Sequence, residues 1–361
     1  MIVSVRGFSV KDSLMRRGWL LFIPDNHTPE DACTGHRRGI ARTHLVILAM
    51  AGAITGVFAP GCSTTPFVSG PKFSMEVREW SQEGLVGREI TTDHYTIFST
   101  LHDPELEEAL PGFLETVFER YEKTFSAPAD EPIKLTTYVF GTRQEWERFV
   151  RRHYSRGFNV YRRIRSGGFS RGNVSVSFYT SRSATLSILA HEGWHQYLAV
   201  RFKGAVPAWL NEGLACYHET VSFAGKKPTF TPRHNTFRIN SLRDALQRDE
   251  LLPLSQIVDT DAGKIISQNH SVVTQTYYSQ AWALVTFLRH GQHGRHARGF
   301  DRLLADLDDG TFHTRISARR LSGETSKPAS FGELVFVHYF KMTPDELAED
   351  YYNHLVRISG F

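Results

Sequence analysis

The sequence predicts an α+β protein, with a mixed sheet and its helices in the first half, a mainly helical second half, and one distinctive helix where the two meet. Three observations predict it. Up to about residue 182, β-rich runs alternate with helical periodicity. Beyond residue 183 the chain reads as helix after helix. At the junction, Ile188 to Leu198 (ILAHEGWHQYL) sets two histidines four residues apart inside an apolar run.

The elements follow in chain order. Ile90 to Thr100 (ITTDHYTIFST) and Ile133 to Phe140 (IKLTTYVF) are rich in Thr, Tyr, Ile and Phe and predict strands. Between them Leu106, Leu110, Leu114, Val117, Phe118, Tyr121 and Phe125 recur at helical spacing. Gln144 to His153 predicts a helix and Val174 to Thr180 (VSVSFYT) a strand. Helices are then expected over Ser183 to Phe202, Pro207 to Glu219, Gln280 to His290, Arg298 to Leu307 and Pro344 to Ile358. Pro207 suits a first turn, where no N–H is needed. Thr343 with Glu346 three residues on is a capping pair for the last helix.

The N-terminal stretch has a different logic. Arg37, Arg38 and Arg42 precede the uncharged run Leu45 to Phe58, and Ala59-Pro60-Gly61-Cys62 follows. A basic start, a short apolar segment and small residues make an export signal over residues 1–61, and the run is shorter than the roughly 20 residues of a membrane span. The small residues before Cys62 resemble a lipobox, which implies lipid on Cys62 and a mature chain beginning there. Ala59 departs from that pattern, which favours leucine, and the leader is long unless translation starts at Met15. A buried N-terminal helix is the other reading. The polar, Pro/Gly-containing STTPFVSGPKFS makes residues 62–79 a tether, and residues 80–361 a domain with an 80–182 α/β half and a 183–361 helical half.

Composition is that of an ordinary globular chain, 41% hydrophobic and 22% charged. The formal charge of +4 says little about partners, because residues 1–61 carry +3 of it. Cys33, Cys62 and Cys216 match neither a zinc ribbon nor a disulfide framework.

On a helix, His191 and His195 lie one turn apart on one face and can aim both imidazoles at one metal ion. Glu192, displaced around the helix, is placed to accept a proton from a water that the metal acidifies. A catalytic zinc needs a third protein ligand, and Glu212 in Trp209-Leu210-Asn211-Glu212-Gly213-Leu214-Ala215 follows His195 after 16 intervening residues. Glu219, seven residues on and on nearly the same helical face, is the rival ligand.

HEGWH followed by WLNEGLA resembles the gluzincin clan of zinc metallopeptidases, and Tyr278 to Leu284 with Asn235 to Leu242 resembles its poorly characterised bacterial members. The similarity runs from about Arg88 to Arg357. It implies a zincin-like fold, a zinc cofactor held by His191, His195 and Glu212, Glu192 as general base, and Tyr278 as stabiliser of the oxyanion. Beside Trp282 and Leu284, Tyr278 also reads as a core aromatic. Cys216 stands where thermolysin-like members have an aspartate that orients a histidine, so support for the imidazoles is expected from elsewhere, such as backbone carbonyls. The Gly167 to Asn173 segment lacks the glutamate with which aminopeptidase N relatives grip a free amino terminus.

Arg143 to Arg171 carries nine arginines interleaved with Trp146, Phe149, Tyr154, Phe158, Tyr161 and Phe169. With an export signal upstream, an anionic envelope polymer or lipid headgroup is the expected partner and nucleic acid is not; a solvated face with aromatics turned inward is the plainer reading. The sequence thus leads to a zinc-dependent peptidase, exported and lipid-anchored at a bacterial cell envelope. The rival is a non-catalytic envelope-binding lipoprotein on the same fold.

Overall fold

A computed structural model describes residues 72–164, 167–202, 204–224, 227–260, 271–321 and 329–361. The export signal, Cys62 and most of the tether therefore lie outside the described residues. Strand β1 (Glu76–Gln82) takes in Glu76 to Glu79, which the sequence assigns to the tether. It turns into β2 (Leu85–Thr91) through Glu83 and Gly84, both at positive φ (54° and 78°), the geometry of a two-residue hairpin that follows the strand twist.

The single strand expected over Ile90 to Thr100 is two. Chain direction reverses at Thr92 to His94, where the Thr92 hydroxyl accepts from Tyr95 N (3.2 Å) and Glu115 accepts from His94 N (2.9 Å). Strand β3 (Tyr95–Ser99) then pairs antiparallel with β2. Helix α1 (Pro104–Glu122) carries the chain to β4 (Leu135–Phe140), parallel to β3. Helix α2 (Arg143–His153), capped reciprocally by Thr142 and Glu145, and the short α3 (Phe158–Tyr161) precede β5 (Gly168–Arg171) and β6 (Val174–Phe178). The six strands run in the order β1-β2-β3-β4-β6-β5, with β6 parallel to β4 and β5 antiparallel at the edge.

Period-two alternation gives the sheet two buried faces. Ile97, Leu135 and Val139 join the main core with α1, whereas Phe98, Tyr138, Phe140 and Val176 join a second core with Trp146 and Phe149 of α2. Helix α4 (Arg182–Arg201) begins where Ser181 accepts from Ala184 N. From Ile188 to Leu198 it is buried on every side, as befits a helix lying between layers. Gln196 pins it to the sheet by donating to Thr136 O (2.7 Å) and Asn173 O (2.8 Å).

The rest is mostly helical. Helix α5 (Ala208–His218) leads through a hairpin, β7 (Val221–Ala224) and β8 (Lys227–Phe230), to α6 (Thr236–Arg248) and α7 (Leu254–Asp259). Then come α8 (Ser271–His290), α9 (Ala297–Asp308), α10 (Phe312–Leu321), α11 (Phe331–Phe340) and α12 (Pro344–Ser359). The protein is α+β, a mixed sheet with helices followed by a mostly helical half. Among the described residues no helix is long and apolar enough to cross a membrane.

Candidate metal centre

Two glycines allow the helices to approach closely enough to form the site. A Cβ at Gly193 would lie 2.6 Å from the Tyr121 hydroxyl, which instead donates to Ala190 O at 2.6 Å and ties α1 to α4. A Cβ at Gly213 would lie 2.5 Å from Ala281 O, so the glycine sets how closely α5 crosses α8. That crossing carries Glu212 and Tyr278 towards the histidines of α4.

The Nε2 atoms of His191 and His195 lie 3.2 Å apart, and Glu212 Oε2 is 3.5 Å from the first and 3.4 Å from the second. Glu212 Oε2 makes no hydrogen bond of ordinary geometry, although the residue is only 1% exposed. The far side of each ring is engaged. His191 Nδ1 meets Glu219 Oε1 at 2.8 Å, and His195 Nδ1 meets Asn211 Oδ1 at 3.0 Å. Both partners are acceptors, so in the neutral form that binds a metal each ring carries its proton on Nδ1 and turns the Nε2 lone pair inward. Two lone pairs and a carboxylate oxygen then face one point without a donor, which is costly in a buried place unless a cation sits there.

The imidazoles are thus oriented by a carboxylate and a side-chain amide, not by the backbone carbonyls expected. Glu219 does not act as the rival third ligand at this point, because it approaches His191 from the Nδ1 side. Nor is it free to move, since Arg238 donates to Oε1 through Nη2 (2.6 Å) and to Oε2 through Nε (3.2 Å). Asn235, the N-cap of α6, adds a bond to Oε2 at 3.0 Å. Arg238 and Glu219 are both nearly inaccessible, with side chains 1% and 3% exposed. Burial pushes the Glu219 carboxyl up, but Arg238 and His191 bring it down to about 2.

His191, Cys216 and Glu219 also place donor atoms within 4.8 Å of one another. Arg238 already supplies the cation there, and burial pushes the Cys216 thiol up to about 11, leaving it protonated. The set formed by His191, His195 and Glu212 is the better cation site. Burial opposes the Glu212 charge, yet His195 and His191 hold its carboxyl down to about 2. Burial also opposes charge on His191, but the neighbouring Cys216, Glu212 and Glu219 outweigh it and raise its pKa. An incoming cation therefore displaces a proton.

Glu192 is 1% exposed, and its Oε1 has no hydrogen-bond partner. Burial raises its pKa, opposed by the neighbouring His191 and His195 and by the nearby Ser170 of edge strand β5. Tyr278 packs edge-on to His191, ring centroids 6.1 Å apart, with the Arg238 guanidinium 5.5 Å from its own centroid. Its hydroxyl pKa is raised well above normal, first by burial and then by the neighbouring Glu212, Cys216 and Glu192. Asn211, Glu219, Arg238 and Ser170 thus join the residues read from the sequence. Glu219 had a sequence signal in its seven-residue spacing from Glu212, and Asn211 and Arg238 lie within the quoted WLNEGLA and Asn235 to Leu242 stretches, though Arg238 reads there as a binder of a substrate carboxylate and is instead buried against Glu219.

Elsewhere the structure separates the arginine segment from its aromatics. Trp146, Phe149, Tyr161 and Phe169 are buried in the second core, while Arg148, Arg151, Arg152, Arg156, Arg162, Arg163 and Arg171 are exposed. A family described as "Protein of unknown function (DUF1570)" matches residues 185–303, less than half of the chain but the whole of the cluster apart from Ser170. No curated protein matches the chain.

Proposed function

We propose that this protein is a zinc-dependent peptidase of gluzincin type on a zincin-like fold, exported and anchored to a bacterial envelope membrane through lipid on Cys62. The observation that supports it most is the spacing of three donor atoms, 3.2, 3.4 and 3.5 Å. Ligands about 2.0–2.1 Å from a tetrahedral zinc stand about 3.3–3.4 Å apart. The donor chemistry, two neutral imidazoles and one carboxylate, is that of a hydrolytic zinc site with its fourth position open. Zinc held by His191, His195 and Glu212 supplies a Lewis acid and brings the pKa of water towards neutrality.

The remaining steps belong to side chains. Glu192 takes a proton from the attacking water and returns it to the departing amine, a role suited to a carboxyl whose pKa burial has raised. Tyr278 donates to the oxygen of the scissile carbonyl as charge develops, its own proton held firmly by burial. Strand β5 is the sheet edge that presents Ser170, so an extended peptide added along it would lie beside α4.

The test is cleavage of a peptide library by the chain from Ser63 onward and by its Glu192→Gln variant. The variant should keep its zinc and lose hydrolysis by roughly 10²–10⁴-fold. Full activity in it would exclude Glu192 as base. A second reading is favoured by one observation, that residues 148–171 hold no acidic side chain and expose seven arginines. In it the protein is a non-catalytic lipoprotein that grips an anionic envelope polymer. Polymer binding lost on changing Arg151, Arg152, Arg162 and Arg163, with the whole library uncut, would select it.

A further inference from the structure

We propose that the chain has a second binding site, for an oxyanion, on the side of α5 turned away from the metal donors, built from Arg120, Tyr217, Arg289 and His290. Tyr217 lies five residues after Glu212, about 140° around the helix. Its hydroxyl is 2.9 Å from His290 Nε2, and the two rings stack at 6.1 Å. The Arg289 guanidinium carbon is 5.3 Å from the Tyr217 ring centre. From α1, Arg120 comes within electrostatic range of both Tyr217 and Arg289, its guanidinium 4.3 Å from the Phe230 ring centre.

These cations lack the acidic partner that several other arginines have. Arg201 is paired with Asp308, Arg238 with Glu219 and Arg182 with Asp103. Neither Arg120 nor Arg289 meets a carboxylate among the described residues, and the Arg120 Nε is buried without a hydrogen-bond partner. Burial and the like charge of Arg289 both act against the charge on Arg120. Burial and the neighbouring Arg289 and Arg233 lower the His290 pKa in the same way. Like charges gathered on two aromatic rings without a counter-charge repel one another, and an anion between them removes the repulsion. Guanidinium groups held over aromatic rings can present N–H groups to a carboxylate or phosphate. The ligand is accordingly a small molecule or chain end bearing one of these two groups.

Inorganic phosphate and succinate, each titrated calorimetrically into the full-length protein, distinguish the two sources. One saturable site per chain is expected for at least one of them, weakened tenfold or more by Arg289→Gln and by Arg120→Gln. Arg163→Gln on the distant arginine face should leave it unchanged, and so should Glu212→Gln, because the site does not depend on the metal reading. Should Arg120→Gln fail to fold, Arg289→Gln, whose side chain is partly exposed, decides alone. Absence of saturable binding for both ions, or equal affinity in wild type and Arg289→Gln, would overturn the proposal.

Discussion

The two sides of helix α5 are built on opposite electrostatic plans. On one, Glu212 and Glu219 approach two histidines, and a buried guanidinium, Arg238, balances Glu219 through two hydrogen bonds. On the other, Tyr217 stands among Arg120, Arg289 and His290 with no acid in reach among the described residues. The first side is internally neutralised except at one point, where three acceptor atoms face each other. The second is not neutralised at all. A buried pair is costly to break but contributes little on balance, whereas an unbalanced group of like charges has a ligand-sized deficit. The two proposed sites follow from this difference, a cation among the acceptor atoms of one side and an anion among the guanidinium groups of the other.

The comparison can be broken in graded ways. Replacing Glu212 by Gln removes the charged donor from the acceptor cluster, and metal retention after dialysis should be lost, together with any hydrolysis. Arg238→Met leaves Glu219 buried without its counter-ion, which should destabilise the fold by about 3–5 kcal/mol in urea denaturation. Glu219→Gln keeps the shape but weakens the hold on His191 Nδ1, and metal affinity by chelator competition should fall roughly 10–100-fold. Gly193→Ala forces a methyl against the Tyr121 hydroxyl, with an expected loss of about 1–3 kcal/mol in the same denaturation assay. Arg289→Gln removes a cation that meets no carboxylate among the described residues, so stability should stay within about 0.5 kcal/mol of wild type. A large loss there would mean that the second side is balanced after all.

Much of the architecture could be read from local patterns because local patterns carry it. Apolar residues at helical spacing reported α1, and Thr-Tyr-Phe-rich runs reported β4 and β6. Strand β1 escaped because its sequence EVREWSQ buries only Trp80 and shows no apolar alternation. Strand β5, four residues containing a glycine, exists by virtue of its pairing with β6. Helix α11 (FGELVFVHYF) is apolar almost throughout, so periodicity could not separate it from a buried strand.

The site divides in the same manner. His191, Glu192 and His195 are read from one turn of helix, and Glu212 from a spacing that allows a return helix. The supporting residues needed the tertiary structure, because Arg238 and Asn235 reach Glu219 from α6. Helical spacing placed Glu219 on the right face but not on the right nitrogen of His191. Cys216, at the place of a missing aspartate, pointed to a different support without naming it. That support is a carboxylate one helical turn further along, outside the spacing expected.

The most direct measurement is the metal content of the purified protein, wild type beside Glu212→Gln, by elemental mass spectrometry after dialysis. About one zinc per chain in the wild type and next to none in the variant is the predicted result. A folded wild type that holds no zinc even when supplied with it, or a variant that holds as much, would contradict the central claim that His191, His195 and Glu212 converge to bind a metal ion.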